Sequence, residues 1–313
     1  MLYGWLSSIS TARILTSIFK VRWYGACMTF IEDFAPTHLH LTEVSPTLWR
    51  VTFDNPPVNV IGTDMMRDLK ELLTELESND TVNVVLFTSA DPDFFLAHYD
   101  LAADHAASEA LPSATGYAAW VDITVRISKL SAVTISAIRG IARGAGSEFA
   151  LATDIRFASR EKAILGQMEV GFGAVQGGGA SGRLPALVGR GRAFEILLGG
   201  GDYDGDTAER YGYVNRSIPD DDFVAFVHDY ATRVSRWDHR ALGEIKAFIN
   251  KYTRLPDSEY PLHSDAFWSA VPTPGFQAVT KGLFERGLQQ KSDLEYHLGA
   301  EIADVAAAVR PAS

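Results

Sequence analysis

A chain of 313 residues, 47% apolar and 21% charged, has the make-up of a globular protein with room for one large domain or a core with an appendage. Its 28 basic and 39 acidic residues leave a formal charge of −11, which repels nucleic acid and anionic membrane surfaces, and no Lys/Arg run offsets it. The one cysteine, Cys27, excludes an intrachain disulfide framework and Cys-rich zinc sites, and no apolar run reaches the length of a membrane-spanning helix.

The first thirty residues differ from the rest. Met1 to Ile31 contains no Asp or Glu, while Arg13, Lys20 and Arg22 sit among Ser, Thr, Ile, Leu and Trp. Three readings fit: an organelle transit peptide, a start upstream of a functional chain beginning at Met28, or a small extra helix. Residues 1–30 are therefore set apart from the fold. The expected location is cytoplasmic, or mitochondrial if that segment is a transit peptide.

Next, "LHLTEVSPTLWRVTF" alternates around Ser45-Pro46 and predicts a hairpin. "NPPVNVI", 55–61, is a proline-marked break. Met65, Leu69, Leu72, Leu73 and Leu76 keep helical spacing. "VNVVLFT", 82–88, suits a strand buried on both faces. A loop carries "DPDFFLAHYDL", 91–101, before a helical pattern over 115–130. "AVTISAI", 132–138, is the next buried strand, and "IRFAS", 155–159, and "AILG", 163–166, are short ones. Past Pro185 the chain reads as mostly helical, with an amphipathic helix over 273–290. Strands alternating with helices imply an α/β core.

"RGIARGAGSEFALATDIRFAS", 139–159, is the stretch with chemical content. Neither it nor Gly177-Gly178-Gly179 is a nucleotide motif. Phe149 stands where the dinucleotide fingerprint needs glycine, and the Gly-Lys-Ser/Thr of the phosphate loop is absent. A bare turn ahead of a helix leaves N–H groups open to an approaching anion, as in half of an oxyanion hole. Glu148 follows about one turn in, and a second glycine-bounded acid, Glu169, stands in "LGQMEVGFG". The plainer reading is close helix–sheet packing with a first-turn glutamate and a solvated loop charge.

Five segments in order resemble the enoyl-CoA hydratase/isomerase (crotonase) superfamily: "NPPVNVI", "FFLAHYDL", "GIARGAGSEFALATDIRFAS", "LGQMEVGFGAVQGGGASGRLPALVG" and "LLGGGDYDGDTAERYGYVNRSIP". The resemblance implies an α/β, crotonase-like spiral of ββα units over 31–220 and a C-terminal helical region over 221–313 that serves as an oligomerisation surface. It further implies an acyl-CoA thioester as partner, a homotrimer or hexamer, and no cofactor or metal beyond the coenzyme A of the substrate. The main-chain amides of Ala97 and Ala145 would form the oxyanion hole. Glu148 and Glu169 would be the acid/base pair for hydrating a 2-trans-enoyl-CoA, and His98, Tyr99, Asp100 and Gly144 would meet the substrate. The same fold also hosts Δ3-Δ2-enoyl-CoA isomerases, hydrolases, lyases, racemases and non-catalytic acyl-CoA binders.

The pattern is broken at a few positions. Ala145 replaces a glycine, His98 and Tyr99 replace Gly-Ala, Met168 stands where proline often precedes the second glutamate, and Gln176 replaces a proline. His98 and Tyr99 either narrow the acyl pocket, add an acid/base group, or turn outward and shape the loop. Arg139 and Arg143 are either CoA-phosphate contacts or solvated arginines. Trp120 and Phe149 read as core.

Overall fold

A computed structural model describes residues 30–309, so the expectation for residues 1–30 lies outside the described residues but for Phe30. The chain divides into two compact units, Met1–Pro36 and Thr37–Ser313. In the first, 30–33 is helical. The helices beyond Asp220 belong to the same unit as the sheets.

The larger unit holds two sheets. The first has six strands in the order β1 (Leu39–Ser45), β2 (Leu48–Phe53), β3 (Val84–Ser89), β5 (Val133–Ile138), β7 (Ile155–Ser159), β10 (Arg216–Ile218). The second has four: β4 (Phe94–Leu96), β6 (Ile141–Arg143), β8 (Ile164–Gly166), β9 (Asp202–Asp204). Among the described residues, only the β1–β2 hairpin and the β8–β9 pair are antiparallel. The chain deals its strands out in pairs. β3, β5 and β7 go to the large sheet, each followed at once by β4, β6 and β8 in the small one, and helices return the chain after each pair. This is a spiral of ββα units.

The buried strands are as apolar as two covered faces require. Val84, Leu86, Ile135 and Phe157 pack under Phe223 and Val227 of the Asp220–Val234 helix. On the other face Phe149 meets Phe53 and Phe87 edge-on, with ring centroids 5.2 and 4.9 Å apart. Phe149 belongs to the Ala145–Ala152 helix, all eight residues of which are buried. A helix covered all round needs no amphipathic stripe. At the far end the Pro274–Glu285 and Leu298–Val309 helices bury Phe276, Val279, Leu283 and Ile302 against Met168 and Phe172.

The structure departs from the sequence reading where elements are short. β4 and β6 occupy stretches read as loop and turn, and β9 and β10 interrupt the stretch read as helical. Three residues carry no measurable period. The last amphipathic helix is also shorter than 273–290: Thr273 caps it by accepting the Phe276 amide at 3.3 Å, and Gly287, at φ +97°, turns the chain away.

Candidate active site

Strands β4, β6 and β8 run parallel and adjacent, so their carboxyl ends open at one place, where α/β folds collect ligands. β4 leads into 97–101, β6 into Gly144 and the Ala145–Ala152 helix, and β8 into Gln167 and Glu169. Glu148 and Glu169, 21 positions apart, thereby face one cavity of about 40 Å³ with Tyr99, Trp120, Ala145 and Gly178. A neighbouring cavity of about 30 Å³ shares Tyr99, Ala145 and Glu169 and adds His98 and Gly144. The Tyr260–Ala270 helix walls the first with Ser264, Phe267 and Trp268. A larger cavity of about 610 Å³ lies at the opposite, amino ends of β5 and β7, lined by Val133, Ile155 and the His239–Thr253 helix. Size notwithstanding, it holds neither glutamate.

The bare turn divides its work. Gly144 has φ +48°, a region that favours glycine, and a Cβ there would stand 2.9 Å from Glu169 Oε1. Gly146 is where helix and strand touch, since a Cβ on it would lie 1.9 Å from the Leu96 carbonyl oxygen. Ser147 Oγ is 2.6 Å from the Tyr213 hydroxyl. Close packing and an open cradle are therefore both present, at successive residues.

The two carboxyls are buried and differently partnered. Glu148 Oε1 accepts the amides of Gly178 (2.7 Å) and Ala180 (3.2 Å), and Oε2 accepts Trp120 Nε1 at 3.3 Å. Three donors and no acceptor suit a carboxylate. Glu169 Oε2 is buried without a hydrogen-bond partner. Burial, and then the charge of Glu148, push the Glu169 pKa up to about 8. Burial raises Glu148 as well, but its donors pull against it, so the negative charge belongs on Glu148 and the proton on Glu169.

The loop after β4 corrects one assignment. The Ala97 amide donates inward to the carbonyls of Val58 (3.3 Å) and Asn59 (3.2 Å), and Ala97 lines neither cavity. A parallel bridge joins Ile61 to Tyr99: the Ile61 amide donates to the His98 carbonyl at 2.9 Å, and the Asp100 amide to the Ile61 carbonyl at 3.0 Å. In such a bridge the central residue's own N–H points away from its neighbour strand. The Tyr99 amide accordingly turns away from Ile61, and among the described residues no main-chain acceptor takes it. This amide, on a residue that lines both cavities, stands two residues beyond the expected one. Asp100 lines neither cavity, and its Oδ1 holds the Ala102 amide and Gln289 Nε2.

Other expectations shift too. Neither arginine is free of a partner, although Arg139, its side chain 39% exposed, does meet solvent. Arg143, 0% exposed, pairs with Asp202, and Arg139 forks onto Asp220. Trp120 is buried as a core residue would be, yet its indole N–H reaches Glu148. Gly178 supplies an amide to Glu148, and a Cβ there would fall 2.3 Å from Glu148 Oε2. Arg183 pins that loop from behind through the Gly178 carbonyl at 2.6 Å. The glycine run at 177–179 was the available signal for this role. Nothing in the sequence marks Phe267 or Trp268, which reach the site from a distant helix.

The chain is similar to known proteins in sequence and fold. Residues 43–267 match the family model described as enoyl-CoA hydratase/isomerase. A Mycobacterium bovis protein named a probable enoyl-CoA hydratase is 30% identical over 207 residues, which cover 64% of this chain and 77% of that one. The crotonyl-CoA hydratase of Syntrophomonas wolfei is 29% identical over 220 residues, covering 69% and 84%. The crystal structure of a candidate enoyl-CoA hydratase from Streptomyces avermitilis superposes with a TM-score of 0.82 at 40% identity, covering 88% of this chain and 99% of that one. With sequence and fold in agreement over most of its length, the chain belongs to the enoyl-CoA hydratase/isomerase family of the crotonase superfamily.

Proposed function

We propose that the protein adds water in syn fashion to a 2-trans-enoyl-CoA, giving a 3-hydroxyacyl-CoA, with no cofactor other than the coenzyme A that the substrate carries. The observation that carries this reading is the contrast between the two carboxyls: one cavity, one acid held ionised by three N–H donors, one left protonated by burial. Glu148 takes a proton from water, and the resulting hydroxide adds to the β carbon. Electrons move onto the thioester oxygen, which lies between the amides of Tyr99 and Ala145. Glu169 then delivers its proton to the α carbon. The relatives' names, which describe hydratases, support the same chemistry.

An isomerase needs one group to carry a proton between two carbons. The second carboxyl facing the cavity favours hydration instead. The test is loss of the enoyl-thioester absorbance of crotonyl-CoA. The wild-type protein removes it, and Glu148→Gln and Glu169→Gln each lower kcat by roughly 10²- to 10⁴-fold. Full activity in either variant takes that residue out of the mechanism. A wild-type protein that turns over no enoyl-CoA overturns the reading.

A further inference from the structure

The loop that presents the Tyr99 amide is fastened by a buried polar cluster built from distant parts of the chain. His98 is 2% exposed and Glu295 0%. His98 Nδ1 lies 2.7 Å from the Tyr99 carbonyl oxygen. Its Nε2 lies 3.2 Å from Glu295 Oε1 and 3.4 Å from Oε2. A carbonyl and a carboxylate only accept, so both ring nitrogens carry protons and the ring is an imidazolium. Both are then occupied, which leaves the ring no site for proton transfer to a substrate. Burial depresses the His98 pKa, but Glu295 and the Tyr99 carbonyl outweigh it and hold the ring above its ordinary 6.5, against an opposing push from Arg143.

The partner side is tied through Glu295 Oε2. Glu295 Oε2 accepts the Gln289 amide at 2.7 Å. The Gln289 side chain turns back to the loop, accepting the Leu101 amide at 2.9 Å and donating to Asp100 Oδ1 at 2.7 Å. Arg143 donates to the carbonyls of Glu295 (2.7 Å) and Tyr296 (2.9 Å). Tyr99 is thus clamped on both sides: Ile61 fixes the peptide before it, and the His98 ring holds the carbonyl after it.

We propose that His98, paired with Glu295, is a positioning residue that aims the Tyr99 amide at the thioester oxygen and moves no proton itself. The proposal rests on the oxyanion role given to that amide above. The general warrant is that misplacing a catalytic group by about 1 Å can cost roughly 10² in rate.

The test compares His98→Ala, which removes both bonds, with His98→Asn, whose amide restores a donor near the Tyr99 carbonyl. Expected for His98→Ala is a fall in kcat of roughly 10- to 100-fold with KM within about threefold, and partial recovery in His98→Asn. A second measurement needs no turnover. Calorimetry gives the ratio of affinities for acetoacetyl-CoA, whose enolate puts charge on the thioester oxygen, and butyryl-CoA, which cannot. That ratio should drop by about 10-fold in His98→Ala, whereas a merely structural role leaves it unchanged. Should His98→Ala not fold, Glu295→Gln keeps the shape, removes the charge, and should shift the ratio in the same direction. An unchanged ratio with unchanged kcat in a folded variant overturns this proposal alone. A wild-type protein with neither enolate preference nor hydration overturns the oxyanion reading beneath it.

Discussion

Glu169 illustrates how one residue's environment sets both activity and cost. Its carboxyl is raised from an ordinary 4.5 to about 8, chiefly by burial. A group raised in the folded state stabilises most below its unfolded pKa, and that contribution is lost as pH rises through the folded pKa. Hence Glu169→Gln, which has no proton to lose, should gain thermal midpoint relative to wild type between about pH 5 and about pH 9. Thermal melts across that range check it, and a constant gap would contradict the buried acid. If Glu169 donates the proton to the α carbon, the hydration rate should also decline as pH passes about 8, the value at which it ionises. At this scale the sequence was informative about residue type and less so about direction. Glu148 and Glu169 could be singled out as acids beside glycines. Which amide of 97–101 turns to the cavity depends on alternation along an extended segment and on its bridge to Ile61, and no spacing rule encodes that.

Among the elements, the Ala145–Ala152 helix is tightly constrained by its neighbours, with all eight residues buried. Gly146 leaves no room for a side chain against the Leu96 carbonyl, a backbone atom that cannot rotate away. Gly146→Ala should therefore destabilise by about 3 kcal/mol or more, lowering the thermal midpoint by several degrees. Gly275, with open space where a Cβ would go, should tolerate alanine and serves as the control. The hairpin, the Thr63–Ser78 helix and strands β3, β5 and β7 were legible because four or more residues share a period or an apolar run. β4, β6 and β9 escaped because three residues, paired by long-range hydrogen bonds, leave little local pattern, and the equally short β8 showed only as the brief apolar run at 163–166. The cover helix Tyr260–Ala270 shows a related limit. Its Phe267 and Trp268 read as ordinary apolar residues until the fold brings them over the glutamates.

For the molecule as a whole, Arg143 joins the small sheet to the C-terminal segment. Its guanidinium is fully buried and bonded to Asp202 and to the Glu295 and Tyr296 carbonyls. Arg143→Met would leave two carbonyls and a partly buried carboxylate without their donor. Leaving buried carbonyls without their donor costs roughly 1–3 kcal/mol, readable as a lower denaturation midpoint. The trimer or hexamer suggested by family resemblance makes another prediction. Ile245, Phe248, Ile249 and Tyr252 expose an apolar stripe on the His239–Thr253 helix, each more than half accessible. Light scattering should give a mass that is a multiple of 34.2 kDa, and Phe248→Glu should move it toward that single value. A wild-type mass of one chain would contradict self-association.

What could be determined from the residues in order is whatever is local or repeated: the α/β alternation, the buried strands, and the two acids set beside glycine-rich turns. Burial, pairing and direction depend on which distant atoms arrive nearby. Only the tertiary structure decided that Glu148 collects three donors while Glu169 Oε2 is left without one, that the Ala97 amide turns inward and the Tyr99 amide does not, and that His98 is locked to Glu295. Hydrogen bonds and desolvation act over a few ångströms in space, whatever the separation along the chain, and that is why these features were hidden in the sequence.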